Sequence, residues 1–243
     1  MAAAANAVFK VLVLGPNPAY QKVMSFDSPV QIGGVNRAAA CTSYVGGKGQ
    51  GVALAINRWA PGTAAVSHFL GGDTGKYIEE NMAGTDQIVQ PTSAKTRTAT
   101  TLIDRQASTE LIDPSGTVSS EELDGLLSRT TDYMAKGSAA GVPVCGVALC
   151  GTVPPGCDTF YKSFADVLET QCDALGEPLL LLDGFKGVED VLSTGRVDVL
   201  KINVDEVGII GGKHCKIATL SRFVALSVSR NPTVRNLKSV TIA

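Results

Sequence analysis

The chain has 243 residues, 44% of them hydrophobic, enough to fill the core of one large domain or two small ones. Its 21 basic and 23 acidic residues give a net charge of -2 and form no long like-charge blocks, which excludes a sequence-independent grip on nucleic acid. No apolar run approaches membrane-spanning length, and the opening "MAAAANAVFKVLVLG" has no basic n-region and is broken by Lys10, so neither a membrane span nor a signal peptide is expected. The expected compartment is the cytoplasm, with small molecules or proteins as partners.

In chain order, the first apolar run is "VFKVLVLG" (8–15), a strand buried on both faces. "SPVQIGGVNRAAACTSYVGG" then offers short strand pieces with no helix, and "GGKGQGVALAINRW" breaks into an alanine-rich helical run. "AAVSHFLGG" (64–72) is a second buried strand. "KTRTATTLID" and "ASTELIDPSG" read as two period-2 strands joined by a tight turn. Together with pieces near 22–45, these strands near 96–112 would form a small sheet standing off the main one as a lid.

The helix "SSEELDGLLSRTTDYMAKG" carries a capping box from Ser119 to Glu122 and apolar positions at Leu123, Leu126, Leu127 and Met134. The next, "DTFYKSFADVLETQCDALG", is expected to start at an Asp158 cap and to bury Phe160, Phe164, Val167, Leu168 and Leu175. Around them lie three more buried strands, "PVCGVALCG" (143–151), "PLLLLDG" (178–184) and "VDVLKIN" (197–203). Strands alternating with helices imply an α/β domain on a mostly parallel sheet. The six cysteines form no C-x-x-C pair; Cys145 and Cys150 are expected to be buried thiols, and no structural zinc is expected. His68 and His214 are expected in the core or on the surface rather than in catalysis. Residues 213–243 are basic, contain no Asp or Glu, and show no strand-turn-helix grammar.

The densest chemistry lies in "VGGKGQG" (45–51). It is no P-loop, because Thr42 and Gly49 stand where a Gly and a Ser or Thr are required, and no G-x-G-x-x-G is present. Glycines that admit a ligand to the backbone, free N–H groups at a helix start and one compact cation suit a sugar or a sugar phosphate.

This stretch occurs in order with "LGPNPAY", "FLGGDTGKYI", "KTRTATTLID", "LCGTVPPG" and "KINVDE", and over residues 8–212 that order resembles the PfkB family of ribokinase-like sugar kinases. The likeness is greatest to the branch with 1-phosphofructokinase and tagatose-6-phosphate kinase. The resemblance implies a ribokinase-like three-layer α/β/α sandwich with a mostly parallel sheet and a small β-lid. A sugar phosphate would lie between lid and sheet, and ATP with Mg2+ would bind toward the C-terminal half. By position, Asn17 borders the sugar, Gly46 and Gly47 offer backbone to its hydroxyls, and Lys48 and Arg97 take its phosphate. Gly151 and Thr152 resemble the family's Gly-Ser near the sugar, while Lys201, Asn203 and Glu206 resemble its N-x-x-E site, where Glu206 orders Mg2+ indirectly. Lids in this family often pair, so a homodimer is also implied.

Three features depart from the family pattern. Gln21 stands where a sugar-binding Asp is usual, and Gly51 replaces an Asn. No GAGD-type segment follows Gly212, so no catalytic Asp is assigned, and the sheet is expected to lack its C-terminal strands and helices. Residues 1–212 thus read as an incomplete kinase domain, 213–243 as an unrelated tail, and turnover by these residues is expected to be impaired. The alternatives are a non-catalytic sugar-phosphate binder and a fragment without function.

Overall fold

The computed structural model describes residues 9–184, 187–202 and 239–242. From the N-terminus, β1 (Lys10–Leu14) leads into β2 (Ala19–Ser25), β3 (Ala40–Gly46) and α1 (Lys48–Trp59). Next come β4 (Ala64–Leu70), α2 (Gly72–Asn81), β5 (Asp86–Pro91), β6 (Thr98–Ile103), β7 (Ser108–Ile112) and α3 (Ser120–Ala139). The described chain then runs through β8 (Val144–Cys150), α4 (Phe160–Thr170), α5 (Cys172–Leu175), β9 (Leu179–Asp183), α6 (Val188–Ser193), β10 (Val199–Ile202) and β11 (Ser239–Ile242).

Seven strands pair in the order β11-β10-β9-β8-β1-β4-β5, every neighbour parallel. Their near-continuous apolar sequence follows from burial on both faces, since alternate side chains enter opposite layers. Leu12, Leu14, Ala65, Val147, Leu149, Leu180 and Leu182 pack with Leu126 and Met134 of α3 and with Phe160 and Phe164 of α4. Val13, Val66, Ala148 and Cys150 face the other way, onto Ala53 of α1 and Ile78 of α2. These two cores make the three layers.

Four strands form the lid in the order β3-β2-β6-β7, with β2 parallel to β6 and the other pairs antiparallel. The β6–β7 hairpin lies where its period-2 pattern predicts it, but the first lid strand begins at Ala19 and residues 26–39 form a long loop. Edge strand β5 and helix α2 were not anticipated, the first being short and polar at both ends.

The capping box of α3 is present: Ser119 Oγ accepts from Glu122 N at 3.2 Å and Glu122 Oε2 accepts from Ser119 N at 2.9 Å. Asp158 is not the cap of α4, which starts at Phe160 after Thr159 with no side-chain cap, and Leu175 belongs to the separate turn α5. Cys150 is buried, but Cys145 is exposed. Register explains the difference: Val144 pairs with Lys10 and Gly146 with Val11, so Cys145 is the extra residue of a β-bulge. His68 is fully buried in β4. In the 213–243 segment, expected to lack strand grammar, the backbone of Ser239–Ile242 adds a parallel strand beside β10. The sheet therefore continues past the point where its strands were expected to stop.

Candidate functional site

Parallel strands end together, and β1, β8 and β9 bring Gly15, Gly151 and Gly184 to one edge of the sheet. Strand order reverses between β1 and β8, since β4 lies on one side of β1 and β8 and β9 on the other. Such a switch point leaves a crevice at the strand ends. Here it is a cleft of about 450 Å³ lined by strand ends, by the start of α1 and by Glu110 and Ile112 of β7 on the lid.

Lys48 is the first residue of α1 and lines the cleft. Its Nζ lies 3.0 Å from Asp183 Oδ1 at the end of β9, and Lys201 Nζ lies 3.4 Å from the same oxygen. The sequence position of Lys48 next to two close-packed glycines has a physical cause. A Cβ on Gly49 would lie 2.5 Å from Gly15 Cα, so helix and strand meet backbone to backbone. Gly47 has φ of +110°, and a Cβ there would come within 2.2 Å of Gln50 Oε1. Gly46 packs on Ala19 O, so both glycines serve the approach of lid and helix, and neither lines the cleft. Gly51 faces open space.

Asn17 lines the cleft as an arranged bridge, donating from Nδ2 to Thr152 Oγ1 at 3.1 Å and accepting from Ser115 Oγ at 3.0 Å. Arg97 is half-buried, with Nε donating to Pro18 O at 3.3 Å and a terminal nitrogen donating to Asn17 O at 3.0 Å. It clamps the loop that leads from sheet to lid while facing the same cleft as Lys48. Burial pushes the Arg97 guanidinium pKa down from its ordinary value, and the group remains a cation. Gly151 turns out of β8 at φ +83°, with its N–H donating to Asp183 O at 2.8 Å and Thr152 following into the cleft. Tyr161 Oη donates to Cys150 O at 2.8 Å and fixes that strand end. Burial, helped by the Asp183 charge, pushes the Cys150 thiol up to about 12, so it is no nucleophile at neutral pH.

Asn17, Lys48, Arg97, Gly151 and Thr152 are thus brought to one cavity, and Lys201 joins through Asp183. Gln21 does not line it, because its Nε2 donates to Thr101 Oγ1 at 2.6 Å within the lid. Asn203 and Glu206 lie outside the described residues. Asp183, Gln50 and Glu110 carry no motif signal of their own, although an acid ending the run "LLLLD" is a visible anomaly. Gln50 is fully buried, donating to Gly15 O at 2.8 Å and meeting His68 Nδ1 at 3.2 Å.

The class of architecture is thus a parallel α/β sandwich capped by a small sheet, with a cleft between them lined by the cations Lys48 and Arg97. The chain belongs to the pfkB family of carbohydrate kinases, whose family profile matches residues 17–223. It is 26% identical over 200 residues to a tagatose-6-phosphate kinase of Staphylococcus epidermidis, a match covering 81% of this chain and 61% of that one. A 1-phosphofructokinase of Haloferax volcanii is 36% identical over 72 residues, 30% of this chain and 23% of the relative. The chain therefore spans about 61% of the length of the tagatose-6-phosphate kinase it matches. Among solved structures, phosphofructokinase-2 of Escherichia coli in complex with fructose-6-phosphate aligns at a TM-score of 0.70 with 15% identity, covering 87% of this chain and 66% of that one. A possible 1-phosphofructokinase of Thermotoga maritima aligns at 0.71 with 17% identity, covering 87% and 65%. These likenesses show the ribokinase-like fold expected from the motif order.

Proposed function

We propose that this chain binds a phosphorylated ketohexose in the cleft between lid and sheet, as the substrate-holding part of an ATP-dependent sugar-phosphate kinase. One observation carries the reading: Lys48 and Arg97, from different elements, line the same cleft as the amide of Asn17 and the hydroxyl of Thr152. A compact ammonium and a planar guanidinium together suit a phosphate, while amide and hydroxyl groups suit a sugar. The relatives' names point to the same ligand class.

Next to the cleft, where it meets Lys48, Asp183 would offer the carboxylate oxygen that a hard cation prefers, with Lys201 beside it for nucleotide phosphate. A Mg2+ ion there would be carried mainly by phosphates and water, with a carboxylate as an additional oxygen ligand. When bound, Mg2+ would neutralise charge developing on the transferred group. Lys48 and Arg97 orient the acceptor, and the lid excludes water above it. The 243 residues contain no GAGD-type segment to supply a base and an anion hole, so we expect binding to exceed turnover.

Calorimetric titration with fructose 1-phosphate, fructose 6-phosphate and tagatose 6-phosphate, with and without Lys48→Ala, tests the reading. At least one of the three should bind, and Lys48→Ala should weaken it at least tenfold, the loss of one charge-assisted contact. No affinity for any of them sinks it. A coupled assay with ATP and Mg2+ then measures how much turnover these residues support.

A further inference from the structure

Across a sheet, residues opposite one another in register project to the same face. The register pairs Gln21 with Ala99, Ala99 with Ile112, Val23 with Thr101, and Thr101 with Glu110. Glu110 and Ile112 line the cleft, so this is the lid face that looks onto the ligand. Gln21, Thr101 and Glu110 form a polar row across it. The first two are engaged with each other, Gln21 Nε2 donating a hydrogen bond to Thr101 Oγ1 at 2.6 Å. Glu110 takes part in no ion pair or side-chain hydrogen bond among the described residues.

Resting on the sugar-phosphate reading above, we infer that Glu110 is the carboxylate that recognises the sugar's hydroxyls and so determines which sugar phosphate is held. Its charge is wrong for the phosphate, and that is informative. Lys48 and Arg97 attract the anionic end of the ligand, and a carboxylate on the lid repels it. A ligand with a phosphate at one end and hydroxyls at the other is therefore held in one orientation. A carboxylate can accept from two neighbouring hydroxyls at once, and such charge-assisted bonds are about twice as strong as neutral ones. Ile112, two residues along the same strand and on the same face, offers apolar surface to the C–H side of a sugar ring. Glu110 lies two strands from Gln21 in the lid order β3-β2-β6-β7 and supplies the row's one carboxylate.

The test titrates the full chain and its Glu110→Gln variant with fructose 1-phosphate, fructose 6-phosphate, tagatose 6-phosphate and inorganic phosphate. Glu110 is exposed on the lid, so the variant should unfold at the wild-type temperature. The best-bound hexose phosphate should weaken at least tenfold, with inorganic phosphate bound as before or slightly more tightly, and Glu110→Asp should recover part of the loss. Unchanged hexose-phosphate affinity in Glu110→Gln overturns the assignment while leaving the sugar-phosphate reading intact. An equal loss for inorganic phosphate overturns it as well, since the effect would not be in the hydroxyls. A wild-type chain that binds none of the hexose phosphates removes the underlying reading, and the assignment with it.

Discussion

Lys48 and Asp183 are 135 residues apart in sequence and 3.0 Å apart in space. The ion pair joins the start of α1 to the end of β9 beside the cleft, and Lys201 approaches the same carboxylate oxygen at 3.4 Å. One carboxylate oxygen therefore faces two ammonium groups. Asp183→Asn should release Lys48 from its ion pair and tighten inorganic phosphate about fivefold at low ionic strength, the scale of a partly exposed ion pair. The gain should fade as salt rises. Phosphate titrations at two ionic strengths decide it, and equal affinity for both proteins counts against a phosphate role for Lys48.

Two glycines in one motif should respond oppositely to the same change. A methyl on Gly49 meets Gly15 Cα at 2.5 Å, and backbone cannot yield as a side chain can, so Gly49→Ala should cost about 2–3 kcal/mol. Gly51 sits within α1 with nothing near its Cβ position, so Gly51→Ala should stabilise the chain by roughly 0.5–1 kcal/mol through helix propensity. Urea midpoints of the two variants provide the measurement. A destabilised Gly51→Ala would contradict this packing.

Arg97→Lys keeps the charge and loses the fork. Lysine cannot reproduce donation from two guanidinium nitrogens to Pro18 O and Asn17 O, so the loop into the lid should loosen at a cost of about 1–2 kcal/mol. Thermal unfolding should show a fall of several degrees. An unchanged transition would mean that the clamp contributes nothing to stability.

His68 ties stability to pH. Burial lowers its pKa from 6.5 to about 4, so the folded chain holds the ring neutral where the unfolded chain would protonate it. The unfolded state therefore binds the extra proton between those values. The contribution is fully present above pH 6.5 and falls away as pH drops toward 4, by about 3 kcal/mol in all. Urea unfolding from pH 7 to 4 should show that slope, and His68→Gln should flatten it. An identical slope in the variant would place the effect elsewhere.

The buried strands and the α3 cap were legible because each is written locally, as apolar runs bounded by Gly or Pro and as a Ser-x-x-Glu box. The cleft residues Asn17, Lys48, Arg97 and Thr152 were legible through motif order. What escaped was decided by distance in space. Asp183 looks like the end of a core strand until β9 is placed beside β8, and Glu110 is one acid in an exposed hairpin until register turns it to the cleft. Gly46 and Gly47 have a second reason to be small that motif order does not show, their close approach to Ala19, Pro18 and Gln50. The false Asp158 cap and the exposed Cys145 show the same limit on a smaller scale, each turning on a shift of one or two residues that composition does not record.

The meeting of Gly15 and Gly49 has a consequence for how this protein can change. Lys48 takes its place from main chain touching main chain, one residue away from it. The Gln50 side chain, donating to Gly15 O, holds the same contact from beside it, so the cation's station rests on two glycines and one buried amide. The same arrangement leaves no graded route at Gly15 or Gly49 themselves. Sequences descending from this one should stay silent at the two points where the helix touches the strand.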